Sequence, residues 1–273
     1  MKKWFLAVAG PVALALLRGH DARADRRQWA ALKEWQPATP QRFEPSMVAG
    51  LPDPARRYFA YAIAPGTPLL TVAELAMRGR FSLGDKAAPT YQSMTARQIL
   101  AAPSGFVWQM RTRSGLPISG SDAAGWTRFR IFGVIPVARR GGNIDHARSA
   151  FGRCVAEAIF WTPAAMLPGP HVRWEAVNES TARVTVTHGE LVQAVDLTVA
   201  ADGCPTQVVF QRWSDANPGK TYQLQPFGGL LSDFRQVQGF RVPFHVEAGN
   251  MFGSSDYFPF YIIDLTELQF PAA

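Results

Sequence analysis

GNIDHARSAFGRCVAEAIFWTPAAMLPGP, residues 142 to 170, is the stretch that decides the fold. Asn143 has the side chain of an N-cap, Asp145 sits in the first turn where a negative charge complements the helix dipole, and Pro163 and Pro168-Gly169-Pro170 supply the stop. The spacing predicts a helix over 142–167. Ala150, Phe151, Cys154, Val155, Ala158 and Ile159 mark one apolar face, and Phe160, Trp161 and Ala164 to Leu167 fill much of the other. The C-terminal half is therefore expected to be buried nearly all round. From Cys154 to Gly169 the only charged residue is Glu157, one turn from both Arg153 and Trp161. Two readings follow. An unpartnered buried carboxyl has a raised pKa and serves as a general acid or base; alternatively Arg153, Arg128 or Arg173 pairs with it structurally.

On both sides of this helix the apolar period is two. Thr71 to Ser82 and Tyr91 to Leu100 read as strands, Phe106, Trp108 and Met110 alternate with Gln109, Arg111 and Arg113, and Ile118 to Ile131 reads as one more strand interrupted by glycines. Beyond the helix come 171–178, 182–187, 191–200, 206–213, 222–226, 230–237, 241–248 and 257–270, with an Asp202-Gly203 hairpin signal. Ten or more antiparallel strands cannot stay flat, because twist accumulates. The fold class expected is α+β, mostly β: a single, strongly curved antiparallel sheet, or half-barrel. The long mid-chain helix covers its concave face with a second helix at 51–64, which opens on Asp53-Pro54.

The chain has 273 residues, 47% of them hydrophobic, with 18 Phe, 8 Trp and only 18% charged, which suits a globule with a large apolar interior. Lys2-Lys3, the apolar run from Trp4 to Leu17 and Ala22-Arg23-Ala24 have the form of a signal peptide over 1–24, too short at about 14 apolar residues for a full span. The protein is expected to be exported, to the periplasm or outside the cell, or else anchored in the inner membrane by residues 4–17. Residues 25–50 read as a linker with a short helix, and 51–273 as one domain. The first 24 residues hold +3 (Lys2, Lys3, Arg18 and Arg23 against Asp21) of the formal net charge of +7. The remaining +4 is scattered, so no nucleic acid is expected as a partner, while contact with anionic lipid head groups is possible. Cys154 and Cys204 are either one disulfide or two unpaired small hydrophobes. No metal or cofactor motif is present, and the oligomeric state is left open.

The segments LVQAVDLTVAADGCPTQVVFQRW, LLSDFRQVQGFRVPFHVEAGNMF and YFPFYIIDLTELQF, with Gly239-Phe240-Arg241-Val242-Pro243, resemble the strand succession of periplasmic lipoprotein-sorting and lipid-carrier proteins of the LolA type. That resemblance implies an unclosed curved sheet around an apolar cavity for acyl chains. LPDPARRY, EAIFWTPAAMLPG and SDFRQVQGFRVP also resemble a bacterial family of unknown function, a likeness that spans 51–270 and implies a fold without an activity.

Two functions that use a cavity remain, beside a third reading, an envelope structural or partner-binding protein with a solid core and no ligand. The first is a module that binds a lipid or other hydrophobic small molecule between sheet and helix, lined by Trp108, Trp126, Arg153, Phe160, Trp161, Trp174 and Phe210. The second is an isomerase, cyclase or hydrolase in the same cavity, with Glu157 as the proton-transfer group and His146 or His245 as weaker candidates. Both need a pocket of roughly 300 Å³ or more.

Overall fold

The protein is described here by a computed structural model covering residues 2–272, with side chains from residue 12 onward. Lys2-Lys3 and most of the apolar run that follows thus lie outside the described side chains.

Six strands precede the central helix: β1 (Val72–Ser82), β2 (Tyr91–Ala101), β3 (Gly105–Thr112), β4 (Ile118–Ala123), β5 (Trp126–Ile131) and β6 (Ile135–Gly141). Seven follow it: β7 (Val172–Ala176), β8 (Thr181–His188), β9 (Leu191–Val199), β10 (Pro205–Ser214), β11 (Gln223–Val237), β12 (Phe240–Asn250) and β13 (Phe258–Gln269). All thirteen form one antiparallel sheet in the order β6-β5-β4-β3-β2-β1-β13-β12-β11-β10-β9-β8-β7, unclosed at β6 and β7. The architecture is two meanders fused where β13 returns to pair with β1, with Glu74 opposite Gln269 and Phe81 opposite Tyr261. A sheet this wide curls, and the result is a half-barrel.

Three details of the strands differ from the periodicity. The stretch 118–131 is two strands, because Ala124-Gly125 turns the chain back, and Ile135–Gly141 is a further strand rather than a connection. Residues 223–237 are one strand that runs straight through Gly228-Gly229.

Helix α3 (Ile144–Trp161) lies in the hollow, against β10, β9, β12, β3 and β2. Asn143 caps it, its side chain accepting from the His146 amide at 2.8 Å, and the chain leaves the helix at Thr162 before Pro163. Helix α2 (Asp53–Ala62) shares the concave side: Tyr58 and Phe59 pack on Trp174, and the Tyr58 hydroxyl donates to the Ile159 carbonyl of α3. Both cysteines are free, Cys154 buried on α3 and Cys204 in the β9–β10 turn.

The outer face carries helix α1 (Lys2–Lys33), continuous through Ala22-Arg23-Ala24 where the composition suggested a leader followed by a linker and a short helix. Leu32 packs on Val72, Ile99, Val107 and Ala123, which point outward by the two-residue alternation of their strands. Asp21, 2% exposed, is ringed by Arg128, Arg130 and Arg139 of β5 and β6. No helix among the described residues is long and apolar enough to cross a membrane.

Candidate functional site: a cavity beneath the central helix

Between α3 and the inward faces of β10–β13 lies a cavity of about 260 Å³, closed on one side by Trp108 of β3. This is a little under the 300 Å³ set from the sequence. Its walls are almost wholly apolar, with Phe160 and Trp161 above and Val208, Phe210, Phe227 and Leu231 below. The space persists partly because Gly229 stands at an inward position between Phe227 and Leu231, where any other residue would project a side chain.

At one end of the cavity a polar network ties α3 to the sheet. Arg153 donates from Nε to Glu157 Oε1 at 2.7 Å, from one terminal nitrogen to Asp122 Oδ2 at 2.8 Å, and from the other to Gln98 Oε1 at 3.2 Å. Gln98, fully buried, returns its own amide N–H to Glu157 Oε2 at 2.5 Å. Asp122 in turn accepts from Thr127, whose hydroxyl is 3.0 Å from His146 Nε2. Burial works against the charge on Arg153, but Glu157 and Asp122 outweigh it and hold its pKa above the ordinary value. The guanidinium also lies 4.5 Å over the Phe106 ring. Glu157 is thus a partner in a largely buried ion pair with each of its two oxygens held by one donor.

Arg212 is different. It lines the cavity from β10, at the inward register of Val208 and Phe210, and makes no ion pair among the described residues. Its Nε is buried without a hydrogen-bond partner, and its guanidinium rests 5.0 Å from the Phe227 ring centroid. Burial, reinforced by the like charge of Arg153, pulls its pKa down. A second cavity-lining donor, Trp108 Nε1, is likewise buried and unpartnered. Tyr261 completes this end; its ring is 6.1 Å from that of Trp108, and burial raises its pKa. The site therefore offers an apolar chamber with two unmet donors, one of them cationic.

Of the residues singled out from sequence, Trp108, Arg153, Glu157, Phe160, Trp161 and Phe210 line this cavity. Trp126 does not: its strand register turns it outward, where Arg128 stacks on it at 4.4 Å and Ser121 accepts from its indole. Trp174 is spent on the α2 contact, donating to the Met166 carbonyl at 2.9 Å. His146 is buried behind the network on Thr127, and His245 is on the outer face between Asp264 and Glu247. The histidines and Glu157 are not brought together. Gln98, Asp122 and Arg212 went unnoticed in the sequence, although each is a polar residue on the inward phase of an alternating strand, which is the signal that finds them.

A family model described as a family of unknown function (DUF6544) matches residues 41–262. No curated protein matches. Among solved structures, a LolA superfamily protein from Nitrosomonas europaea is similar at 9% identity and a TM-score of 0.37, over 73% of this chain and 84% of that one. A lipoprotein-sorting protein domain from Vibrio parahaemolyticus has the same identity and TM-score, over 73% and 85%. A DUF1329 family protein from Desulfovibrio piger is similar at 9% and 0.36, over 80% and 90%. At such scores these likenesses carry no functional weight.

Proposed function

Starting from a chain that belongs to the family of unknown function DUF6544, we propose that this protein binds an amphipathic small molecule in the cavity beneath α3. The ligand has an apolar body and an anionic or strongly hydrogen-bond-accepting head. The observation that carries the reading is Arg212: a half-buried cation with no ion pair among the described residues, its Nε buried without a hydrogen-bond partner at an otherwise greasy wall, beside the unpartnered indole N–H of Trp108. Asp122, Glu157 and Asp215 offset its charge only from a distance, and a ligand carboxylate or phosphate in contact with it would satisfy the buried N–H as well. Apolar contact with Phe210, Phe227 and Phe160 would supply most of the binding energy, and the head would set orientation. The volume suits a short chain or small ring system, or one end of a longer lipid. The basic, apolar and small-residue pattern over 1–24 supports a place outside the cytoplasm, by export or by tethering at residues 4–17.

Glu157 does not favour the enzymatic alternative, because its carboxylate is held by Arg153 and Gln98. Native mass spectrometry of protein purified from its own host is expected to find a co-purified molecule with an acidic or acceptor head. In a displacement titration with a fluorescent fatty-acid probe, Arg212→Leu is expected to weaken binding tenfold or more while leaving the matching alcohol probe unaffected. Equal affinity of wild type and variant for the acid would refute the assignment of the head to Arg212.

A further inference from the structure

The outer face of the first meander has a composition unlike the rest of the surface. Antiparallel register places Arg78, Thr95 and Arg111 in one cross-strand row over β1, β2 and β3, and the next row holds Ala76, Arg97 and Gln109. Arg113 continues β3, its backbone amide bonded to Ser93. Arg78, Arg97, Arg111 and Arg113 are exposed, and among the described residues none makes an ion pair. Like charges so arranged repel, and a sheet surface carries them only at a cost. They rim a cleft of about 590 Å³ between α1 and the sheet. The acids that face them are few. Asp21 is committed to Arg128, Arg130 and Arg139, Asp25 accepts from Ser121 and Gln109, and Asp264, opposite Arg78 on β13, is held by His245, which leaves the exposed carboxylate of Glu267, opposite Ala76, to set against four arginines. The cleft is left with an excess of unmatched guanidinium.

The same end of the sheet exposes large apolar side chains at its turns. Leu83 after β1 is 60% exposed, Leu116 between β3 and β4 40%, and Phe132 and Ile135 at the β5–β6 turn 66% and 51%. The Phe132 amide donates to the Pro117 carbonyl, which joins two of these tips. Phe132 also adopts φ 54°, followed by Gly133 at φ 71°. That turn conformation ordinarily takes Asn, Asp or Gly, and a bulky aromatic there is strained. The residue is thus unfavourable both for its exposure and for its backbone, which calls for a role outside the folded chain. Arg18 of α1 lies against Gly133, and two residues back Leu16 is 68% exposed.

We propose that this edge, with Leu83, Leu116, Phe132 and Ile135 at its tips and Arg78, Arg97, Arg111 and Arg113 behind them, docks on a bilayer bearing anionic phospholipid. The tips enter the interface while the guanidinium groups meet lipid phosphates, in the way a peripheral apolar-and-basic surface partitions. The geometry is independent of the cavity and stands whether or not the cavity binds a ligand.

The test is flotation of the full chain with vesicles of phosphatidylcholine alone and of phosphatidylcholine mixed with phosphatidylglycerol. Preference for the anionic vesicles is expected, weakening as salt is raised. Arg111→Gln with Arg113→Gln should lose about fivefold in affinity per arginine removed, on anionic vesicles only. Phe132→Ser with Ile135→Ser should weaken binding to both vesicle types. All four positions are exposed, so the variants keep the fold, and an unchanged thermal midpoint and far-ultraviolet circular dichroism spectrum verify this. Indifference of wild type to lipid charge, or equal binding by all variants, would overturn the proposal and leave the apolar run 4–17 as the sole membrane determinant. Displacement by inorganic phosphate beyond that by chloride at equal ionic strength would make the cleft a site for free phosphate instead, and comparable affinity for duplex DNA would also overturn it.

Discussion

Replacing Arg153 by Met should destabilise the protein far more than replacing Glu157 by Gln, although the two residues face each other in one ion pair. Arg153 is the hub: it serves Glu157, Asp122 and Gln98 at 2.7, 2.8 and 3.2 Å. Side-chain exposures of 17%, 14% and 18% for Arg153, Glu157 and Asp122 leave little solvent to take over. Arg153→Met strands two carboxylates and removes a cation from the Phe106 face, so a loss of about 3–5 kcal/mol is expected. Glu157→Gln keeps a carbonyl to accept from Arg153, and the guanidinium keeps Asp122. That loss should be about 1–2 kcal/mol, because the bond to Arg153 is weakened and the amide nitrogen that replaces Oε2 can no longer accept from Gln98. For a domain of this size the first change lowers the thermal midpoint by about 10 °C and the second by about 3–6 °C. Equilibrium urea denaturation of both variants, of Glu157→Leu and of the Arg153→Met/Glu157→Leu double variant reads the free energies directly. The double variant should lose less than the sum of Arg153→Met and Glu157→Leu by at least about 1 kcal/mol, because it no longer strands the Glu157 charge. A Glu157→Gln penalty equal to that of Arg153→Met would show that the carboxylate, not the guanidinium, organises the network, and the reasoning would fail.

Tyr58→Phe removes a hydroxyl that is fully buried and bonded to the Ile159 carbonyl, the one polar tie between α2 and α3; a loss of about 1–2 kcal/mol is expected in the same denaturation assay, and no loss would mean that the carbonyl is satisfied otherwise. Partial burial opposes the charge of His245, but its bonds to Asp264 and Glu247 outweigh this and raise its pKa above 6.5. A raised folded-state value means stabilisation that is complete below about pH 6.5 and fades as pH rises through the folded pKa. His245→Gln should therefore flatten the thermal midpoint between pH 6 and 8, and a wild-type midpoint that rises over that window would contradict the sign.

How much of this was legible in the sequence depends on whether the signal was local. The α3 boundaries, the Asn143 cap and the alternation of β1, β3, β10 and β13 were readable because capping and period are properties of a few consecutive residues. The split of 118–131 was not, because Gly120 and Gly125 look alike in sequence. Gly125 occupies the turn between β4 and β5, whereas Gly120 lies within β4, where a Cβ would run into the Phe129 backbone of the neighbouring strand. Gly228-Gly229 invited the opposite error. It reads as a bend, yet β11 needs glycine there to pass Ala248 closely and keep the cavity open. The Arg153 alternatives were undecidable from spacing alone: the i,i+4 partner was visible, but Gln98 and Asp122 come from strands 55 and 31 residues away.

The two open edges explain why the polar groups lie where they do. A wide antiparallel sheet that does not close leaves rows of unpaired amides at β6 and β7, an invitation to pair with another chain. Edge β6 answers with Pro136, which offers no N–H, and with exposed Arg139 and Arg140. Arg140 also reaches across to Asp215 at 2.6 Å, beyond the end of β10, so the sheet is latched over α3 by an ion pair where a barrel would use strand hydrogen bonds. Edge β7 is kept to five residues and carries Arg173 and Glu175. Such a latch is weak, being exposed and screened, whereas a closed ladder would be strong. Among the described residues, the mouth of the unclosed sheet is held by this surface ion pair and by the buried network around Arg153. A fully closed barrel would seal the chamber, and an unlatched sheet would flood it. On the function proposed above, an unclosed sheet and a cavity-facing Arg212 give a guest both a seat and a way out, while Glu157, committed to Arg153, takes no part in holding it.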